Sequence, residues 1–169
     1  PDYTKPFERL DYSTIWEEHA VYFTPETFKN YFSFYSLETK RFELYPYLLE
    51  NSLVAIVKNN KNIKPKFPDK NILERENSRA LNFSQEYTKT KNKIKLFFSD
   101  FKKNNGKIAV YGAGHNACLL INVFELEEYI DCVIDDNANK QGLFMPGSHL
   151  PIVGPPALVD KGIKLSVFS

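Results

Sequence analysis

Two cysteines, one methionine, one tryptophan and three histidines are all that 169 residues hold of these types. Cys118 and Cys132 lack a metal-ligand spacing, and His19, His115 and His149 are scattered, so no metal site is expected. Both cysteines fall in apolar runs and read as buried free thiols of a reducing compartment. No apolar run reaches the ~18 residues that a membrane span needs, and no signal peptide is visible. These absences point to a cytoplasmic protein with no membrane partner. Charge of neither sign dominates, since 22 Lys and Arg stand against 21 Asp and Glu, leaving +1. That balance excludes the electrostatic footprint of a nucleic-acid binder. Lys58, Lys61, Lys64, Lys66 and Lys70 do cluster, but Asn and Pro interleave them. They read as a solvated linker, with a phosphate-contacting patch as the alternative. Internal repeats are absent as well.

Aromatics are plentiful, with 14 Phe and 10 Tyr, and more than half lie in the first 50 residues. Apolar residues at 43% and charged residues at 25% fit a globular chain. The length allows one domain, or one small domain with part of another. Three segments emerge: 1–60, a polar linker at 61–68, and 69–169. In the first, a turn-prone start leads through Tyr12 to Trp16 into the polar knot Glu17, Glu18 and His19. Thr24, Pro25 and Glu26 supply an N-cap, a first-turn proline and an early acid, which predicts a helix over 25–35. Residues 41–49 and 53–58 read as two strands of a hairpin turning at Glu50, Asn51 and Ser52. Pro46 in the first of them calls for an edge position or a bulge.

From Asp69 to about Lys103 a helical pattern carries Ile72, Leu81, Phe83, Tyr87, Ile94, Leu96, Phe97, Phe98 and Phe101 at roughly one-face spacing. Its stripe lacks a clean heptad, which favours packing across a sheet or between domains over a coiled coil. Gly106 is the expected C-cap. Strands are then predicted at 107–111, 129–134, 150–153 and 163–168, with helices at 114–126 and 155–160. Such alternation implies a parallel sheet with right-handed crossovers. The fold class is therefore α/β: a Rossmann-like parallel sheet with flanking helices, plus a partial α+β segment of helix and hairpin at the N-terminus.

The richest stretch runs Tyr111, Gly112, Ala113, Gly114, His115, Asn116, Ala117. Strand, glycine turn and helix is how a Rossmann-type unit opens, and the helix start offers N–H groups to an anion. Gly112, Gly114 and Ala117 occupy the three small positions of a dinucleotide fingerprint. Asp135 and Asp136 follow about 20 residues later, where an acid would meet a ribose.

Two segments resemble one family. Tyr111 to Gly114, then Ile134, Asp135 and Asp136, then Lys140, Gln141 and Gly142, then Pro146 to Ile152 are similar to the C-terminal domain of SAM-dependent C-methyltransferases that act on nucleotide-linked deoxysugars. That family carries a lysine-x-glycine step and a Pro-Gly-x-His-x-Pro-Ile loop after the second strand's aspartate. Upstream, Thr14 to Phe23 is similar to the family's Ile-Tyr-His-Glu-His-x-x-Tyr-Phe run, which lies late in its methyltransferase domain. The resemblance implies that residues 1–60 are the distal end of that domain, truncated upstream. It also implies that S-adenosylmethionine (SAM) is bound by the upstream methyltransferase domain of the same polypeptide. The chain alone is then expected to be inactive.

Methylating carbon requires a carbanion-like nucleophile, normally an enolate formed beside a ketone. A base with a pKa of about 7 suits that proton transfer, and His19 is the histidine set among polar and aromatic neighbours. Carried over from the family, the catalytic set is His19 as base, Glu18 as its orienter or a hydroxyl ligand, and Tyr22 as donor to the oxyanion. The bland alternative is a cluster that caps the following helix. Trp16 stands where the family has tyrosine, and Glu17 where it has the first histidine. The departure leaves a different acceptor, a larger role for Tyr22, or a fold kept after its chemistry was lost. For the glycine turn three readings stay open: NAD, a scaffold, or contact with a sugar substrate's nucleotide or diphosphate. The last would use Gly112, Gly114, His115, Asp135, Lys140 and His149.

Overall fold

A computed structural model of the chain describes residues 1–15, 19–47, 50–60 and 62–168. Two compact units, Pro1–Tyr87 and Thr88–Ser169, divide it.

In the first unit, helix α1 (Thr4–Arg9) and a 3₁₀ turn (Tyr12–Thr14) occupy the start that composition marks as turn-prone. Buried Asp2 organises this start. Its carboxylate accepts from Thr4 N at 3.0 Å and from Asn51 Nδ2 at 3.2 Å, while its own N–H donates to Asn51 O at 2.7 Å. Helix α2 (Pro25–Phe34) begins as expected, with a reciprocal box in which Thr24 and Thr27 each bond the other's backbone.

Strands β1 (Leu37–Tyr45) and β2 (Ser52–Asn59) form an antiparallel pair. β1 starts earlier than the pattern predicts and ends at Tyr45, before Pro46, which has no N–H for the ladder. The bulge lies between Thr39 and Arg41, not at Pro46. Residues 48 and 49 of the predicted strand lie outside the described residues.

Helix α3 (Lys70–Asn105) runs the full predicted length, and the boundary between the units falls within it. Asp69 opens it, its carboxylate accepting from Asn71 N at 2.8 Å. Gly106, with φ +115°, follows its end in a conformation that disfavours a side chain. Phe98 is buried, but Leu81, Leu96 and Phe97 are exposed at 51%, 71% and 55%. They belong to the sequence's apolar set without belonging to the buried face. That face instead takes Glu76, buried between Arg75 and Arg79. Helical phase, not hydrophobicity, decides which side chain points inward.

The second unit holds a four-stranded parallel sheet in the order β5-β4-β3-β6, built from β3 (Ile108–Tyr111), β4 (Cys132–Ile134), β5 (Ile152–Val153) and β6 (Leu165–Phe168). Helix α4 (His115–Phe124) joins β3 to β4, and α5 (Ala157–Asp160) precedes β6. Ile108, Ala109, Val110 and all of β4 are buried, as a sheet covered on both faces requires. The α/β class, the Rossmann-like sheet and the N-terminal helix with hairpin are all present.

Both cysteines are free thiols. Cys132 is fully buried, and that burial pushes its thiol pKa up. Cys118 is only half-buried, which corrects the expectation of two buried thiols. It sits on the outward flank of α4 beside the loop at 146–149, where its Sγ accepts from Asn122 Nδ2 at 3.2 Å.

Candidate functional site

Strand order determines where a ligand would meet the second unit. From β3 the chain steps to β4 and β5 on one side, then returns to β6 on the other. The carboxyl end of β3 is therefore a switch point, the place where open α/β sheets bind ligands. Residues 112–114 occupy it. Gly112 adopts φ +101°, and its N–H donates to Ile134 O at 2.7 Å, tying the turn to the end of β4. A side chain at that φ would be strained, so glycine is required by the backbone itself.

Gly114 differs. As N-cap of α4 it has φ −114°, open to any residue, and a Cβ built there meets nothing within 4 Å. As glycine, it has no side chain with which to cap α4. The chain's own packing thus gives no reason for glycine, and the space above its Cα is open to an approaching group.

Asp135, at the end of β4, is 8% exposed. Its Oδ1 accepts from Asn137 N at 2.8 Å. Its Oδ2 accepts from Ala113 N at 2.8 Å and from Lys140 Nζ at 3.0 Å. Lys140 Nζ also donates to Ala113 O at 2.9 Å. The Asn137 N–H, then Lys140 and the Ala113 N–H, hold the Asp135 carboxyl below the usual carboxylate range. Asp136 is exposed, and its Oδ1 accepts from Tyr111 OH at 2.7 Å. That bond raises the phenol's pKa, and the Tyr111 ring stacks on Phe168 at 5.2 Å.

The structure therefore brings Gly112, Asp135 and Lys140 into one hydrogen-bonded group with Ala113, and places Gly114 and His115 at the helix start beside it. His149, exposed and with φ +55°, makes no hydrogen bond to that group among the described residues. Its loop is held to α4 by Asn122, whose Nδ2 donates to Pro146 O at 3.0 Å. Gly147 has φ +78°, and a Cβ there would lie 2.4 Å from Asn122 Oδ1. The motif's glycine is thus a packing requirement. Asn122 escapes sequence reasoning because an asparagine within a helix has no signature until its loop partner is known.

The residues around His19 belong to the first unit. His19 is half-buried, with its ring 5.9 Å from that of Tyr22, edge to face. Tyr22 in turn packs at 4.2 Å on Tyr3, whose pKa burial pushes up to about 12. Tyr3 OH accepts from Thr14 Oγ1 at 3.0 Å. Glu18, with Trp16 and Glu17, lies outside the described residues. Tyr3 is the residue that sequence reasoning misses here, since a lone tyrosine near a terminus has no pattern. Among the described residues no group of three or more His, Cys, Asp or Glu is placed to hold a metal ion. No helix among them is long and apolar enough to cross a membrane.

A strand-glycine-helix turn at the switch point of a parallel sheet defines a Rossmann-like α/β domain. Residues 56–163 match the C-methyltransferase C-terminal domain family, and the chain belongs to that family. Membership carries a methyltransferase-related role. His19 and Tyr22 precede the matched segment, while all six residues singled out around the glycine turn fall within it. A search of curated proteins returns no significant match.

Proposed function

We propose that this chain is the C-terminal part of a SAM-dependent C-methyltransferase whose acceptor is a nucleotide-linked sugar. Membership of the C-methyltransferase C-terminal domain family over 56–163 is the observation that carries this reading. The turn at 112–114 receives the nucleotide or diphosphate part of the acceptor, using Gly114's open space at the start of α4. His115, the first residue of α4, is the basic residue adjacent in sequence to that contact. SAM is not assigned to this turn. Asp135, the acid in the ribose position, already commits both oxygens to the chain's own N–H groups and Lys140. The methyl donor belongs to the methyltransferase domain of the same polypeptide, where it supplies an electrophilic methyl group.

His19 takes the proton from the carbon beside the acceptor's carbonyl, leaving an enolate whose carbon is the nucleophile. Tyr22, edge-on to the imidazole at 5.9 Å, donates a hydrogen bond to the oxygen where charge develops. Buried Tyr3 supports Tyr22 from beneath and remains protonated through neutral pH. Glu18 orients the imidazole or holds a substrate hydroxyl.

The experiment is His19→Asn in the complete enzyme. Methyl transfer is expected to fall about 10²–10⁴-fold with SAM affinity unchanged. Turnover at the wild-type rate would remove His19 from the chemistry. A second reading is favoured by the position of the family match, which begins after His19. In it the chain is a module that binds a sugar nucleotide or NAD without chemistry. Titration of this chain with NADH and with nucleotide sugars separates the two ligand classes.

A further inference from the structure

Asp135 and Lys140 together engage both hydrogen-bonding groups of one residue of the glycine turn. Asp135 Oδ2 accepts from the Ala113 N–H, and Lys140 Nζ donates to the Ala113 carbonyl, while the two side chains pair with each other at 3.0 Å. Asp135 Oδ1 simultaneously accepts from Asn137 N and so shapes the loop that delivers Lys140. The other end of that loop is secured as well, since Gln141 Nε2 donates to Asp135 O at 3.0 Å. The Asp135 N–H donates to Val153 O at 3.0 Å, which places the carboxylate at the end of the sheet's hydrogen-bond ladder. A ring of four groups is thereby closed: two peptide groups of the turn, one carboxylate and one ammonium.

We infer that Asp135 and Lys140 are positioning residues that buckle the Gly112–Ala113–Gly114 turn into one shape before any ligand arrives, and do not themselves contact the nucleotide. The inference rests on the reading that this turn receives the acceptor's nucleotide part. A free loop of small residues loses backbone entropy when a ligand orders it, and a turn held in advance avoids that cost. Gly112 supplies a positive φ and an N–H tie to Ile134 O, and Gly114 supplies open space, but the buckle is what engages both hydrogen-bonding groups of Ala113. It also explains why two aspartates stand together. Asp135 faces inward and is 8% exposed, whereas Asp136 faces out and bonds only Tyr111 OH among the described residues.

Asp135→Asn provides a selective test. An asparagine side chain can keep one acceptor oxygen on Asn137 N. Its NH₂ then meets the Ala113 N–H and the Lys140 ammonium as donor against donors. In amide exchange followed by NMR, Ala113 is expected to exchange at least about tenfold faster, with Asn137 and the strand amides of Val110 and Val133 unchanged. Asp136→Asn, the control, should leave Ala113 protected. Uniform acceleration across the sheet, or no change at Ala113, overturns the inference.

UDP-glucose and dTDP-glucose titrated into the same proteins supply the second readout. Binding weakened by Asp135→Asn supports positioning, and binding equal to wild type overturns it. Wild-type protein that binds neither sugar nucleotide refutes the nucleotide reading, while the exchange data still decide the buckle. If Asp135→Asn does not fold, Lys140→Met replaces it. Backbone relaxation should then show 112–114 more mobile and β3 unchanged, and unchanged order at 112–114 would count against the buckle.

Discussion

Tyr3 shows how much a single side chain's surroundings alter its chemistry. It is 1% exposed, packed against Phe7, Tyr22 and Phe83 at ring separations of 5.0, 4.2 and 6.2 Å. Removal from water raises its pKa to about 12, against about 10 in an unfolded chain. A raised folded pKa makes the sign simple. Its contribution to stability is fully present below pH 10 and is lost as pH climbs toward 12, because only the unfolded state ionises readily there. Thermal melts between pH 9 and 12 should therefore show an alkaline fall in Tm that is shallower in Tyr3→Phe. An identical slope in the variant would assign the fall to other tyrosines. Asp135 is the opposite case, a carboxylate held below its usual range, whose contribution is present at neutral pH and fades only in acid. Neither behaviour is legible in the sequence, where ten tyrosines and a pair of adjacent aspartates look alike.

At the level of elements, local chemistry governs starts and stops. Thr24 and Pro25 begin α2, Asp69 begins α3 and Gly106 follows its end, all through interactions within a few residues. Thr24→Ala removes one half of the reciprocal box and is expected to cost about 0.5–2 kcal/mol in urea unfolding, where Thr24→Ser should cost less. The hairpin follows the same logic, with β1 ending at Tyr45 because Pro46 cannot donate. Its bulge at Thr39 and Arg41 was not legible, since no glycine or proline marks it. Tyr45 and Arg41 both bond Glu43 on the exposed strand β1 and lower its pKa. Such exposed ion pairs contribute little to stability. In α3 the apolar residues were legible, but the buried face was not. Leu96 and Phe97 point out beside buried Phe98 because successive helical residues are 100° apart.

For the whole molecule, stability resides in two separate cores. Ile108, Val110, Ile121, Leu126, Val133 and Ile134 are fully buried in the second unit, Ile121 on α4. Ile121→Ala should lower the stability of that unit by about 2–5 kcal/mol, read from exchange at Ala109, Val133 and Ile152. A loss below about 1 kcal/mol would mean that the site collapses to fill the cavity. The first unit relies on aromatic packing around Phe83, which lies 5.3 Å from Phe7 and 4.3 Å from Tyr12. Tyr12 OH adds a hydrogen bond to Phe83 O at 2.7 Å. The proposed roles divide along the same line, with His19 in one unit and the glycine turn in the other.

The sequence by itself determined the α/β class, the order of strands and helices and the place of the glycine turn. Those features follow from periods of 2 and 3.6 residues and from turn residues that act on their neighbours. Tertiary structure alone decided which aspartate turns inward, which glycine is required by its backbone and which by Asn122, and which aromatic residues of α3 are buried. Each of these depends on partners distant in the chain: Ala113 meets Asp135 across 22 positions and Lys140 across 27. A hydrogen bond of that span exists only once the parallel sheet has brought the ends of β3 and β4 side by side.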